Sequence, residues 1–564
     1  MRYIVITFWC VFLVACQPRE VADVIYYGGT IYTMNDAQAK AAFVATRGNK
    51  IVFVGSPEDS LRWIGDKTKR IDMSGKIMTP GFIEGHGHLM GIGYSEMILD
   101  LSDVESFEAL VDRVAAAVAK SKPGEWIIGR GWHQDKWKSS KVDYIKGFPR
   151  HHALSEVSPD NPVFLRHVSG HASMANLKAM QIAGVTLLSK ESRIRAIDSC
   201  GEIIKDEAGN PTGIFSECAT NLIEKFLPDQ DDETPTRALQ LALAACAKNG
   251  ITSFHDAGIT RQHLDVYTQF RNENRLTTRL YVMLTGYDRA WLQEWFSKGP
   301  LLDPWLTVRS IKLNCDGALG PRGAWLLAPY SDRPDYSGTP TLSMDTVLKT
   351  ARDGLRYGFQ VCSHAIGDRA NREILDRYET AFKEFPTVRD HRYRIEHAQH
   401  IDPSDLSRFA TLGVLASMQP IHMASDRPWA IERLGKERIE SGAYMWQSLL
   451  QSGAKIINGT DAPVEPLNPI ACFYAAVTRK TLAGIPDGGY EPKERMTREQ
   501  ALRSYTLDAA YGSFEESIKG SIEVGKLADF TIFDKDIMTI SEDDILSAKV
   551  VMTVVDGNVV YENK

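Results

Sequence analysis

Two histidines stand two residues apart in GFIEGHGH, at His86 and His88. Others close short apolar runs at His364 in FQVCSHAIG and His397 in RYRIEHAQ, and Asp461 closes AKIINGTDA. Lys312 sits in RSIKLNCDG, where the two-residue period puts Ile311 and Leu313 on one face and Ser310, Lys312 and Asn314 on the other. A lysine charge is costly to bury without a partner, so that face is either wet or holds a lysine with a task. Neutral imidazoles and carboxylates are the ligands that zinc takes, at about 2.0–2.2 Å. One strand histidine alone is more often a hydrogen-bonded core residue. The pattern matters only if all six residues meet.

The elements that carry them make that meeting plausible. Strand patterns recur at 81–89, 252–258, 279–285, 309–315, 359–367, 392–399, 414–420 and 454–462, and amphipathic helical patterns such as 236–248 and 371–385 fill most of the gaps. Eight β-then-α units in series predict an α/β fold of the closed (β/α)₈ TIM-barrel type. His86, His88, Lys312, His364, His397 and Asp461 then all fall at the C-terminal ends of strands, where barrel enzymes place their sites. The gap from about 92 to 250 exceeds any simple crossover and predicts an inserted subdomain after the first strand. Short strand-like runs at 23–72 and again at 527–563, the latter with an Asp556-Gly557 hairpin signal, predict a small β-sandwich built from both termini. The expected division is a signal at 1–15, the sandwich at 16–80 and 516–564, and the barrel at 81–515.

GFIEGHGH, SIKLNCDG, CSHAIGDRA, RIEHAQ and NGTDAP resemble the amidohydrolase superfamily, and more narrowly its amidohydrolase-3 branch, which includes N-substituted formamide deformylases. GRGWHQDKW, LRHVSGHASMANLKAM and PTGIFSE fit the same branch, so the likeness runs through the whole mature chain. The resemblance implies one or two divalent ions, with zinc expected. His86 and His88 would hold the more buried ion, and His364 and His397 the other. Lys312 would be N-carboxylated and bridge them; the alternative is a neutral or salt-bridged lysine beside a single metal. Asp461 would bind metal, take a proton from the metal-bound water and return it to the departing nitrogen. The family more often has Asp where Glu84 stands here, which touches substrate or supporting detail rather than the ligand set.

Several residues stay open between roles. His171 either contacts substrate from the insertion or is a loop histidine. Trp132 and Trp137 either line an apolar pocket or belong to a core. Arg322 pairs with a substrate carboxylate or with a protein one. His255-Asp256 reads as support that orients ligands, and His400 as a local hydrogen-bonder. The leading expectation is hydrolysis of a non-peptide C–N bond in a small molecule: an amide, formamide or cyclic amide. The alternatives are a deaminase, a dipeptidase or N-acyl amino acid hydrolase, or a lipid-anchored binding protein without catalysis.

The first residues, MRYIVITFWCVFLVAC, place Arg2 before an uncharged run at 3–15 that is too short to span a membrane. Leu13-Val14-Ala15-Cys16 looks like a lipobox, which predicts lipidation of Cys16 and a bacterial envelope location at the periplasmic face of the outer membrane. The chain has 564 residues, 43% hydrophobic and 24% charged, with a net charge of −7 and a pI near 6.1. That balance speaks against a nucleic-acid partner. The six cysteines beyond Cys16 are scattered without a CxxC pair, so no disulfide pairing is readable. The resemblance also leaves room for a homo-oligomer.

Overall fold

The computed structural model describes residues 21–58, 60–134, 137–138, 144–168, 170, 172–186, 201–228 and 233–563. Cys16 and His171 lie outside the described residues.

Eight parallel strands form the central sheet: β1 (Phe82–Gly87), β2 (Ile251–Ile259), β3 (Arg279–Thr285), β4 (Leu306–Asn314), β5 (Gln360–Ala365), β6 (Arg394–His397), β7 (Leu415–Met418) and β8 (Ile456–Asn458). They are hydrogen-bonded in chain order from β1 to β8. The seam between β8 and β1 is closed just past the strand ends, where Asp461 N–H donates to the His86 carbonyl at 2.9 Å and His88 N–H to the Ala462 carbonyl at 2.7 Å. Gly85 makes that approach possible. A Cβ there would lie 2.4 Å from the Asn458 carbonyl oxygen, so any larger residue would push the seam apart. The outer face of the barrel packs its helices through one large apolar core that includes Phe254, Val282, Ile311, Val361 and Ile395.

The insertion leaves and re-enters the barrel at one place. Helix α1 (Leu89–Ser95) follows β1, and helix α2 (Thr234–Lys248) precedes β2. They pack so closely that a Cβ on Gly93 would lie 1.9 Å from the Ala238 carbonyl oxygen. Between them stands a six-stranded sheet whose strands fall between Leu99 and Glu217. Residues 234–250, inside the expected insertion, therefore belong with the barrel. The inserted sheet encloses its own core of Leu101, Phe107, Leu110, Trp132, Leu165 and Met174.

Strands from both termini join in one eight-stranded hydrogen-bonded sheet. Phe530–Phe533 pairs antiparallel with Ile77–Pro80, which pairs in turn with Val24–Tyr32. A buried ion pair ties this sheet to the barrel: Arg279 on β3 grips Asp529 at 2.7 and 3.0 Å and Asp556 at 2.7 Å. Cys246, Cys315, Cys362 and Cys472 are buried free thiols.

Candidate metal centre

Glu84 and His86 occupy alternate positions of β1 and His88 follows its end as the N-cap of α1, and the three do different things. His86 is fully buried; its Nδ1 donates to Glu396 Oε2 at 2.5 Å, which leaves Nε2 facing the barrel mouth. His88 turns Nδ1 to the Ala257 carbonyl at 3.0 Å and brings Nε2 to 3.2 Å from Asp461 Oδ1. Glu84 accepts from the Thr460 N–H at 2.5 Å and its hydroxyl at 3.1 Å, bracing the turn that carries Asp461. Burial pushes the Glu84 carboxyl up to about 8, so it is held chiefly neutral at neutral pH.

Around this pair the other strands deliver their side chains. Lys312 Nζ on β4 lies 3.4 Å from His86 Nε2. The His364 and His397 rings are 4.4 Å apart, and those of His86 and His397 are 5.0 Å apart. His397 Nδ1 donates to Gln419 Oε1 at 2.8 Å, so its other nitrogen is free for a ligand bond. The six residues expected to meet thus do meet, at the C-terminal rim of one barrel. His86, His397 and Asp461 form the tightest set, with candidate ligand atoms all within 4.8 Å of one another.

His397 and Asp461 reach these positions through backbone that turns left-handed, with φ of 72° and 59°. Such conformations cost about 1–3 kcal/mol each for residues with a Cβ, and they cluster at functional sites. The donor chemistry also fits a cation. Asp461 Oδ1 and His364 Nε2 are buried and make no well-aligned hydrogen bond; their nearest opposite groups are His88 Nε2 at 3.2 Å and Asp316 Oδ1 at 3.3 Å. Lys312 is buried and, among the described residues, forms no ion pair with a carboxylate.

The charges follow from this packing. Burial, then the Lys312 charge, lowers His86 to about 4, which keeps the imidazole neutral and able to ligate. Burial holds His397 well below its ordinary value and lowers Lys312 as well. Burial opposes ionisation of Asp461, but His88, His86 and His397 together outweigh it and hold the carboxyl well below its usual range.

Sequence patterns did not single out the Arg394–Glu396 pair or His422, whereas His255-Asp256 was expected as support. Arg394 on β6 is fully buried and grips Glu396 through Nε at 2.7 Å and Nη2 at 2.9 Å, and the same Nη2 lies 2.6 Å from the Gly85 carbonyl and 2.8 Å from Ser417 Oγ. The parity of RIEH puts both charges on the inward face, and that was the available signal. His422, on the helix after β7, holds Nε2 3.8 Å from Asp461 Oδ2 and offered no comparable pattern. Asp256 accepts from the Leu89 N–H at 2.9 Å and from Tyr267, anchoring the start of α1 just after His88. His255 meets Arg394 deeper in the barrel, at 3.1 Å.

Other candidates fall elsewhere. Trp132 has no exposed surface and donates its indole N–H to the Leu165 carbonyl at 3.0 Å inside the inserted unit, so it touches core and not the barrel mouth. Trp137 packs beside it, 6.2 Å between ring centroids. Arg322 forms a two-point pair with Asp332 at 2.8 and 3.1 Å, which occupies its guanidinium with a protein carboxylate. His400 lies 3.5 Å from Asp368 and makes no hydrogen bond through its ring.

Residues 69–561 match the amidohydrolase family. The chain belongs to that family. It is accordingly a hydrolase of carbon–nitrogen bonds. It is 33% identical over 556 residues to the Protein LONG AFTER FAR-RED 3 of Arabidopsis thaliana, covering 96% of this chain and 92% of that one. It is 25% identical over 555 residues to the N-substituted formamide deformylase of Arthrobacter pascens, covering 96% and 99%. Among solved structures, an uncharacterized metal-dependent hydrolase from Pyrococcus horikoshii superposes with a TM-score of 0.73 at 27% identity, over 92% of this chain and 99% of that chain.

Proposed function

We propose that this amidohydrolase cleaves a non-peptide C–N bond of a small molecule, an amide, formamide or cyclic amide, with zinc held by His86, His88, Lys312, His364, His397 and Asp461. The observation that carries the reading is the convergence at one rim of four imidazoles, the buried Asp461 carboxylate and a buried lysine that has no carboxylate partner among the described residues. The formamide deformylase relative supports the choice of bond.

A divalent ion there supplies Lewis acidity toward the substrate carbonyl and makes water acidic near neutral pH. The chain's own residues do the rest. Glu396 and Gln419 hold the Nδ1 protons of His86 and His397, so each ring presents Nε2 to the site. Asp461, ionised and fixed by its left-handed turn, takes a proton as base and returns it to the departing nitrogen as acid. Burial favours the neutral amine of Lys312, the form that adds carbon dioxide: the N–C bond forms, one proton leaves, and an anionic carbamate replaces a cation.

Zinc-loaded protein tested with formamides, N-acyl amino acids and cyclic amides should release amine or acid. Asp461→Asn should lower kcat by about 100-fold or more. Ammonia from amidine-like compounds alone would assign a deaminase, and no release from any compound would refute the hydrolase reading.

We further propose that the chain is anchored to the membrane through a lipid on Cys16. Supporting this are the apolar run at 3–15 and the lipobox-like Leu13–Cys16. Among the described residues no helix is long and apolar enough to cross a membrane. Cys16→Ser should release the protein from the membrane fraction; a variant that stays there refutes the anchor.

A further inference from the structure

The two oxygens of Asp461 face different neighbours. Oδ1 lies 3.2 Å from His88 Nε2 and 3.6 Å from His86 Nε2, on the side of the first-strand ligands. Oδ2 is turned to His422, whose Nε2 lies 3.8 Å away. His422 is not among the six ligand candidates, yet its Nε2 is buried and, among the described residues, makes no hydrogen bond. Buried polar atoms are nearly always paired, so an exception beside a reacting group calls for a role. The placement is built by several contacts. His422 sits in the first turn of the helix Pro420–Leu434, where its N–H donates to the Gln419 carbonyl at 3.0 Å. Gln419 also holds His397 Nδ1 through its side chain. The His422 and His397 rings lie nearly parallel, 20° between planes and 6.0 Å between centroids. The same helix is tied to the chain that follows Asp461, because Ser425 Oγ donates to Glu465 Oε1 at 2.6 Å. Helix and turn therefore keep His422 and Asp461 at a set separation.

We infer that His422 is a positioning residue for Asp461: its Nε2–H holds Oδ2, so that Oδ1 faces the ion and Oδ2 carries the proton. That role rests on the reading of Asp461 as ligand and proton carrier, and it assigns the two duties to separate oxygens. A carboxylate free to rotate exchanges its oxygens, and one donor on the outer oxygen removes that freedom. An ionised carboxylate offers about four acceptor sites, so this donor leaves Oδ2 able to take a proton. The 3.8 Å separation is about 1 Å longer than a hydrogen bond, an interval that a small rotation of ring or carboxylate covers. A neutral imidazole with its proton on Nε2 suffices, and no change of charge is involved.

Three variants separate reach from polarity. Glutamine carries an amide nitrogen as many bonds from Cβ as Nε2, asparagine carries one a bond closer, and leucine carries none. Competition titration of the full-length protein with zinc should show His422→Leu and His422→Asn weaker by about 10-fold or more, the scale of a lost partner to a ligand. His422→Gln should stay within about threefold of wild type. The visible spectrum of cobalt(II)-loaded protein should shift in the first two variants and not in the third. Melting midpoints equal to wild type show that the fold is intact; if His422→Leu does not fold, His422→Asn against His422→Gln decides. With any compound that releases amine, the loss should fall on kcat and leave KM unchanged, since Oδ2 handles the proton and not substrate binding. Wild-type zinc affinity and cobalt spectrum in His422→Leu or His422→Asn overturn the inference, and so does His422→Gln that binds zinc no better than His422→Asn. Amine release with zinc affinity indifferent to these variants leaves the hydrolase reading standing and removes this one. The expected order of zinc affinities without any release removes the hydrolase reading and keeps Asp461 as a ligand positioned by His422.

Discussion

Glu396→Gln tests whether the buried chain Arg394–Glu396–His86 sets the ligand geometry. Burial opposes ionisation of Glu396, but Arg394, His86 and Lys312 outweigh it and hold the carboxyl well below its usual range. One oxygen accepts from Arg394 Nε at 2.7 Å, and the other from His86 Nδ1 at 2.5 Å. Glutamine has a single acceptor oxygen. Facing that oxygen to His86 turns the amide NH₂ onto a buried guanidinium. Facing it to Arg394 forces His86 into the other tautomer, with its proton on Nε2, where a metal would bind. Either outcome degrades the site. Losing such a support typically weakens metal binding by about 10- to 100-fold. Removing one partner of a buried pair costs about 3–5 kcal/mol because the other charge stays buried.

Zinc competition titration should therefore show a Glu396→Gln affinity lower by that factor, and thermal melting should show a lower midpoint. Arg394→Met should be comparably destabilising. The double variant Arg394→Met/Glu396→Gln should lose less than the sum of the singles, by about 1–3 kcal/mol, since no charge is left stranded. Glu396→Gln that binds zinc within twofold of wild type, together with additive singles, would refute the reasoning.

Lys312→Ala should lower bound zinc from about two ions per chain towards one, read by elemental analysis; full metal and full activity would sink the bridging carbamate. Gly85→Ala places a Cβ 2.4 Å from a backbone oxygen across the β1–β8 seam, which a flexible side chain cannot relieve. It should cost about 1–3 kcal/mol and lower zinc binding with it, because Asp461 is tied across the same seam. An unchanged melting midpoint would show that the seam tolerates the methyl group.

The eight barrel strands were readable in the chain because each is a short apolar run with its own period, and period alone decides which side chains share a face. The same local rule pointed His86 and His88 inward together and put the ligand candidates at strand ends. Rim placement needs only strand order, and strand order follows from eight β–α units in series.

Periodicity could not say what each side chain would meet. Arg394 and Glu396 share a face by parity, yet only folding brings β6 against His86 on β1. Residue type leaves Trp132 and Arg322 open between a ligand contact and a structural role, and packing assigns them to a core and to Asp332. Arg130 looked ordinary until the inserted sheet set it in register beside Arg166. Residue type and local period act over a few positions. Partners, burial and the left-handed turns at His397 and Asp461 arise between segments hundreds of residues apart, where only the closed barrel and its insertion supply the neighbours.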